Sequence, residues 1–174
     1  MKKWLLILSL LLVSNSYVFP AAEQDMKPYV GSAEFERLKA LTGVWKGASS
    51  EDDGTKLDAN VEYSVTSNGS VVVEKLFMGT PHEMISVYHD KNGKLSMTHY
   101  CAIGNQPEMD LVSSNEKEMK FDFSSSNSID PSRENHMHSL TLSFDGNDKL
   151  IQNWKYFKTG AEAGGTTLTL TRSN

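Results

Sequence analysis

An alternation of apolar and polar residues, which begins after Gly43 and continues to Thr171, constrains the fold of this chain more than any other feature. Met119, Phe121 and Phe123 show the pattern, with apolar side chains at every second position. A period of two is typical of half-buried β-strands, whereas amphipathic helices have a period near 3.6. The pattern therefore predicts an all-β protein.

Only the segment before Gly43 has helical spacing. Ser32 is placed to cap a helix, and Phe35, Leu38 and Leu41 follow on one helical face, which predicts a short helix over 33–41. About ten strands follow it, separated by turn signals. We predict a single antiparallel up-and-down β-barrel, since closure removes the edge strands, with the helix closing one end.

The connections between the predicted strands alternate in length. In an up-and-down barrel, successive connections alternate between the two ends, so the short ones should share the end with the helix. The long ones should form an open mouth, where binding residues are expected on loops. The tight turns are Asn68-Gly69, Asn92-Gly93, Asn115-Glu116 and Asp145-Gly146, and the long loops are 50–56, 79–82, 103–108, 126–134 and 160–164.

The first 22 residues have the pattern of a secretory signal peptide. Lys2 and Lys3 precede an apolar run over 4–13, which is too short to span a bilayer. Cleavage is predicted after Ser16 or after Ala22, followed by a flexible lead-in over 23–31 and the barrel domain over 32–174. The expected location is outside the cytoplasm, in the periplasm or the extracellular medium, with no stable membrane insertion.

Charge and cysteine content exclude some partners and bonds. The formal net charge of −5 becomes −7 when both signal-peptide lysines are lost, and the remaining basic residues form no stripe. Nucleic acid is therefore a poor partner. Cys101 is the single cysteine, so no intramolecular disulfide can form. Stability must come from a hydrophobic core.

The hairpin around Asn92-Gly93 admits two registers. A three-residue loop over 91–93 places Ile85, Val87, Met97 and His99 on one face, and a two-residue loop separates them. We predict the first, because the second turns Ile85 and Val87 towards water. In that register Val87 faces Met97, Ile85 faces His99 and Glu83 faces Cys101. The predicted interior lining is Phe77, Ile85, Val87, Met97, Phe121, Leu140 and Leu142.

Polar residues are expected to meet at the mouth. His136 and His138 precede Leu140 and Leu142 in one alternating series, so both histidines should point inwards with the leucines. The candidate ligand-binding residues are His82, Glu83, His99, Tyr100, Cys101, Asn105, Gln106, His136 and His138. Of these, Tyr100 points outwards by alternation.

Three chemistries are open to this set of residues. Imidazole, thiolate and carboxylate groups suit a transition metal, although no metal-binding motif is present and we assign no metal ligand. Cys101 with His99 as base, or Glu83, would suit an enzyme, although we expect none. A small molecule that is partly apolar is the favoured partner, and a protein partner for the long loops is left open.

Three resemblances bear on the fold. Gly43-Val44-Trp45, with a helix before it and Arg172 near the end of the last strand, resembles the start and end of calycin-superfamily barrels (lipocalins and relatives). That resemblance implies that Arg172 packs over Trp45. The segments 79–84 and 98–107 resemble those of secreted bacterial lipocalin-like proteins of unestablished function. The form Gly-x-Trp-x-Gly resembles nitrobindins, which bind haem through a C-terminal histidine. No histidine follows His138, so haem would need another ligand here.

Overall fold

The computed structural model describes residues 27–91 and 93–173, so the predicted signal peptide lies outside the described residues. Ten antiparallel strands form a closed barrel in which each strand pairs with its sequence neighbours and β1 pairs with β10. The predicted fold class is confirmed. The elements are α1 Ala33–Lys39, β1 Gly43–Glu51, β2 Lys56–Thr66, β3 Val71–Leu76, β4 Met84–Lys91, β5 Lys94–Tyr100, β6 Glu108–Ser114, β7 Glu118–Phe123, β8 His136–Asp145, β9 Lys149–Lys158 and β10 Ala161–Arg172.

Helix α1 covers the tight-turn end of the barrel, as predicted. The Ser32 hydroxyl accepts a hydrogen bond from the Phe35 amide at 3.2 Å, and this cap starts the helix. Phe35 and Leu38 are fully buried. Arg37 donates to the carbonyl of Asn115 in the turn between β6 and β7. Within the described ranges, no helix has the length and apolar content needed to cross a membrane.

Trp45 and Arg172 close the same end. The Trp45 indole is buried and donates to the Leu41 carbonyl at 2.8 Å. The Arg172 guanidinium carbon lies 4.4 Å from the centroid of the Trp45 ring, a cation–π distance. Its two terminal nitrogens donate to the carbonyls of Thr42 and Ala40 at 2.8 and 2.9 Å. One side chain therefore joins the last strand to the end of the helix and the first tryptophan.

Replacing Arg172 with leucine should lower the free energy of unfolding by about 2 kcal/mol, because a cation–π contact and three hydrogen bonds to the carbonyls of Ala40, Thr42 and Asn147 are lost. Chemical denaturation would measure the change. Arg172→Lys is the matched variant, since it keeps the charge and loses the planar fork. It should fall between wild type and Arg172→Leu, and equal stability of all three proteins would contradict this role.

One predicted long loop is a tight turn. β9 and β10 are joined by Thr159-Gly160, which both have positive φ angles of 48° and 83°. The residues of the predicted loop over 160–164 mostly belong to β10, whose pairing with β9 shifts register between Glu162 and Gly164. The mouth is therefore bounded by the connections over 52–55, 77–83, 101–107 and 124–135, together with this short turn.

The predicted register of the central hairpin is wrong. Lys91 pairs with Lys94, so the loop has two residues, and Ser86 rather than Ile85 faces His99. Tyr88 likewise pairs with Met97. Ser86 and Tyr88 are fully buried, whereas Ile85 and Val87 are only partly buried. Polar atoms of Ser86 and Tyr88 find buried partners, so the barrel can enclose them without leaving unpaired donors.

Candidate functional site

A cavity of about 260 Å³ lies inside the mouth of the barrel. It reaches the surface, because Leu57 on its wall is 48% exposed and His82 is also exposed. Most of the wall is apolar, and the polar side chains are few. The lining residues are Glu51, Leu57, Leu76, Phe77, His82, Met84, His99, Met137, Trp154, Thr166 and Leu168.

His99 is the deeply buried polar residue on the cavity wall. Its side chain is 1% exposed, and its ring packs against Trp154 with 4.7 Å between centroids. Nδ1 forms a hydrogen bond of 3.0 Å with the Ser86 hydroxyl. Nε2 is buried and has no partner among the described residues. Burial lowers the pKa of His99 to about 4, so the ring is neutral at neutral pH.

Glu74 forms the centre of a buried polar network deeper in the barrel. Glu74 shares the inner face of β3 with Val72 and Leu76, and all three are fully buried. The Tyr63 and Tyr88 hydroxyls donate to its two carboxyl oxygens at 2.5 and 2.8 Å. An ionised carboxylate only accepts hydrogen bonds, so this ring of donors matches it.

Gln152 links this network to the cavity wall. The Trp154 indole can only donate, and it donates to Gln152 Oε1 at 3.0 Å. The amide nitrogen must therefore face the other way, where it donates to the Tyr63 hydroxyl and to Glu74. Trp154 thus touches the cavity on one side and orients the network on the other.

Burial dominates the electrostatics of this network. It raises the pKa of Glu74, although hydrogen bonds from Tyr63, Tyr88 and Gln152, and the nearby hydroxyl of Ser86, each oppose that rise. It also raises the pKa of both tyrosines well above the usual range, and the Glu74 charge adds to the effect. Both tyrosines therefore stay protonated donors.

The candidate residues near β4 and β5 are distributed over different surroundings. His82 and His99 line the cavity. Glu83 instead accepts a hydrogen bond of 2.7 Å from the Gly79 amide, within its own loop. Tyr100 is 49% exposed. The Cys101 sulfur lies 3.9 Å from that of Met84, and burial raises the pKa of its thiol. In the structure the hydrogen-bond partner of His99 is Ser86, not Cys101.

The side chains of Asn105 and Gln106 form hydrogen bonds between and within the mouth loops. The Asn105 amide donates to the carbonyl of Asn135 at 2.8 Å, which ties together two loops that are 30 residues apart in sequence. Gln106 donates to the Gly104 carbonyl at 3.2 Å, within its own loop. Neither residue lines the cavity.

The prediction that His136 and His138 point into the cavity with Leu140 is wrong. A register shift between Met137 and Ser139 interrupts the alternation of β8, so Met137 lines the cavity instead. Both histidines pack with Phe123 and Phe157 in what we call the rim cluster. The His138 ring stacks on that of Phe157 with 3.7 Å between centroids.

Hydrogen bonds occupy the imidazoles of the rim cluster. His136 Nδ1 donates to the Glu134 carbonyl at 2.8 Å, so in the neutral ring Nε2 accepts from His138 Nδ1 at 2.9 Å. His138 Nε2 faces Asp122 at 3.6 Å. In the described part of the chain, no three His, Cys, Asp or Glu side chains are grouped so that they could hold a metal ion.

Comparison with protein-family models finds no match, and comparison with curated proteins finds none. Among solved structures, a redesigned β-barrel is 11% identical to this chain with a TM-score of 0.39, covering 79% of this chain and 95% of that one. A DUF3598-family protein of unknown function from Nostoc punctiforme is 10% identical with a TM-score of 0.23, covering 78% of this chain and 98% of that one. At TM-scores this low, neither likeness contributes an argument.

Sequence reasoning missed the residues that support His99. Glu74 carries a visible signal, since it occupies the same alternating face as Val72 and Leu76, a face that is otherwise apolar. A carboxylate on such a face must have partners. The predicted hairpin register turns Ser86 and Tyr88 outwards, so it excludes both from the interior. Gln152 alternates with Leu150 and Trp154 on β9 and gives the same signal as Glu74.

Proposed function

We propose that this chain is an exported, lipocalin-like protein that binds a small and largely apolar molecule in the mouth cavity. The observation that carries the proposal is the cavity itself, whose wall is apolar apart from a few placed polar groups. Pockets for small molecules in proteins have this composition. The mouth position also agrees with the general placement of ligand sites in the mouths of β-barrels.

The size of the cavity limits the ligand. Because an apolar cavity of about 150 Å³ accommodates benzene, about 260 Å³ has room for roughly ten non-hydrogen atoms. Ligand efficiencies for molecules of this size suggest a Kd on the order of 100 μM. Larger molecules would bind only if their remaining atoms extended past Leu57 and His82 into solvent.

Export and lipocalin-like ancestry are parts of the same proposal. They are supported by the basic and apolar start of the sequence and by the position of Arg172 over Trp45 at the helix-covered end. An exported barrel with a small apolar cavity suits the capture or transport of a molecule outside the cytoplasm. Mass spectrometry of material extracted from natively purified protein would identify such a molecule.

Haem does not fit the described cavity. His99 Nε2 has the chemistry of an axial ligand, since it is buried and unpartnered. A porphyrin, however, has several times the number of atoms that about 260 Å³ can enclose. The two histidines of the rim cluster are paired with each other and do not line this cavity. The geometry therefore favours a smaller organic ligand.

Catalysis at Cys101 also lacks support from the geometry. A cysteine nucleophile needs a thiolate and a base within hydrogen-bond reach. Here burial raises the pKa of the thiol, and the sulfur of Met84 is its side-chain neighbour. Glu83 is engaged by the Gly79 amide. Binding without chemistry is the function that these contacts support best.

Toluene titrated into the protein should bind with a Kd on the order of 100 μM, measured by calorimetry. Leu168→Phe should weaken binding at least tenfold, because the larger ring occupies part of the cavity. Val112→Phe is the matched control, since Val112 is exposed and does not line the cavity. Absence of binding to the wild type, or equal binding to wild type and Leu168→Phe, would refute the proposal.

A further inference from the structure

We infer that the ligand of the mouth cavity is a neutral molecule with one O–H or N–H group, which donates a hydrogen bond to Nε2 of His99. This inference rests on the proposed function and specifies its chemistry. Candidate ligands are small phenols and short alcohols, whose apolar part would contact Leu76, Phe77 and Leu168. The argument follows from the surroundings of each nitrogen of the His99 ring.

An unpartnered polar atom buried in an apolar wall needs an explanation. Leaving such an atom unpaired costs free energy, so most buried polar atoms have a partner. His99 Nε2 has none among the described residues, and its residue lines the cavity. A bound molecule with a complementary group would remove this cost and gain affinity from doing so.

The hydrogen bonding of Ser86 sets the polarity of Nε2. Ser86 has a single hydroxyl proton, and it lies directly opposite Glu74 on the neighbouring strand, with both side chains fully buried. The Ser86 hydroxyl is one of the groups that oppose the rise in the pKa of that carboxyl. A carboxylate only accepts, so the Ser86 proton is directed to Glu74. The Ser86 oxygen is then free to accept from His99 Nδ1, at 3.0 Å. In a neutral ring with the proton on Nδ1, Nε2 is an acceptor, and its partner must be a donor.

The surroundings of His99 also favour a neutral ligand. Burial lowers the pKa of the imidazole to about 4, so the ring offers no positive charge to an anion at neutral pH. A cation bound at Nε2 would lie against a neutral ring and apolar side chains, and burying a charge without a partner is costly. The wall residue that could pair with a cation is Glu51, and benzylamine tests this arrangement. Glu51, the other ionisable group on the wall besides His82, accepts from the Thr166 hydroxyl.

Phenol and toluene are suitable probes because they have the same shape and differ in one hydroxyl. Without a partner, the hydroxyl should weaken binding in an apolar cavity, since it loses its hydrogen bonds to water. With His99 as acceptor, phenol should bind wild type at least as tightly as toluene. Benzoate and benzylamine test the charged alternatives, and both should bind at least tenfold more weakly than phenol.

The variants test whether His99 causes this preference. His99→Phe keeps a ring against Trp154 and removes the acceptor, so the affinity of phenol relative to toluene should fall about tenfold. His99→Gln places an amide near the position of Nε2 and should restore part of the preference. The ¹⁵N chemical shifts of the His99 ring in the unliganded wild type give a measurement independent of any variant. They should show a protonated Nδ1 and a bare Nε2.

The outcomes separate this inference from the proposed function. If both probes bind and their affinity ratio is unchanged in His99→Phe, the cavity binds apolar molecules and the inference is wrong. A protonated Nε2, or tighter binding of benzoate or benzylamine than of phenol, would also overturn it. If neither toluene nor phenol binds, the proposed function fails and the inference fails with it.

Discussion

Replacing Glu74 with leucine should lower the free energy of unfolding by about 3–5 kcal/mol, because each buried donor left without an acceptor costs about 1–3 kcal/mol. The hydroxyls of Tyr63 and Tyr88 lose their acceptor, and Gln152 loses one of two. Leucine does relieve the cost of burying a carboxyl, since burial raises the pKa of Glu74. Several unpaired donors outweigh that gain. Urea denaturation at neutral pH would measure the difference.

A compensated variant tests the cause of this loss. Combining Glu74→Leu with Tyr88→Phe removes one orphaned hydroxyl along with its acceptor, and it leaves the Tyr63 hydroxyl in place as the remaining acceptor for the Gln152 amide. Replacing both partners of a buried hydrogen bond with apolar groups is often nearly neutral, so the double variant should recover about 1 kcal/mol or more of the lost stability. If Glu74→Leu is as stable as wild type, or if Tyr88→Phe makes it less stable still, the network does not stabilise the barrel in this way.

The barrel could be predicted from the sequence because its signals are local. The alternation from Val44 onwards, the Asn-Gly and Asp-Gly turns and the Ser32 cap each depend on a few neighbouring residues. An up-and-down order needs no long-range choice, because each strand pairs with the next. One strand pair, β1 with β10, is distant in sequence, and closure follows from the need to remove edges.

The predicted register of the β4–β5 hairpin is wrong because it rests on the hydrophobicity of the side chains alone. By that criterion Ile85 and Val87 belong in the interior in preference to Ser86 and Tyr88. The partners that make those polar residues suitable for the interior are Glu74, from β3, and His99, from β5. A register prediction that considers only one hairpin cannot include a partner on a third strand. The two-residue Asn-Gly turn was the better signal.

The position of the histidines was missed for a different reason. His136 and His138 share the parity of Leu140, but a β-bulge changes the parity of a strand and leaves no clear mark in the sequence. His99 was correctly placed on the inner face with Met97, since no bulge interrupts β5. Of the three histidines predicted to share the candidate site, the structure keeps His99 there, together with the buried hydrogen-bonding network that supports it.

The stability of the protein should depend on pH through His99. Its pKa is about 4 in the folded protein against 6.5 for an ordinary histidine, because burial disfavours the charged ring. As the pH falls below 6.5, the unfolded chain takes up a proton that the folded protein rejects until about pH 4. Stability contributed by the neutral ring is therefore present above pH 6.5 and is lost between these two values. The loss amounts to roughly 3 kcal/mol, at about 1.4 kcal/mol per unit of pKa difference.

The free energy of unfolding of wild type and His99→Phe, measured in urea at pH 7.5 and at pH 4.5, would isolate this contribution. Phenylalanine does not titrate, so the variant should lose less stability on acidification than wild type does. Glu74 acts in the opposite direction, since its raised pKa favours the folded protein at low pH, but it is present in both proteins and largely cancels in the comparison. Val112→Phe is the matched control, because Val112 is exposed, does not line the cavity and does not titrate. Parallel losses in wild type and His99→Phe would show that the folded protein accommodates a charged His99. The cavity wall would then not be as dry as its apolar lining indicates.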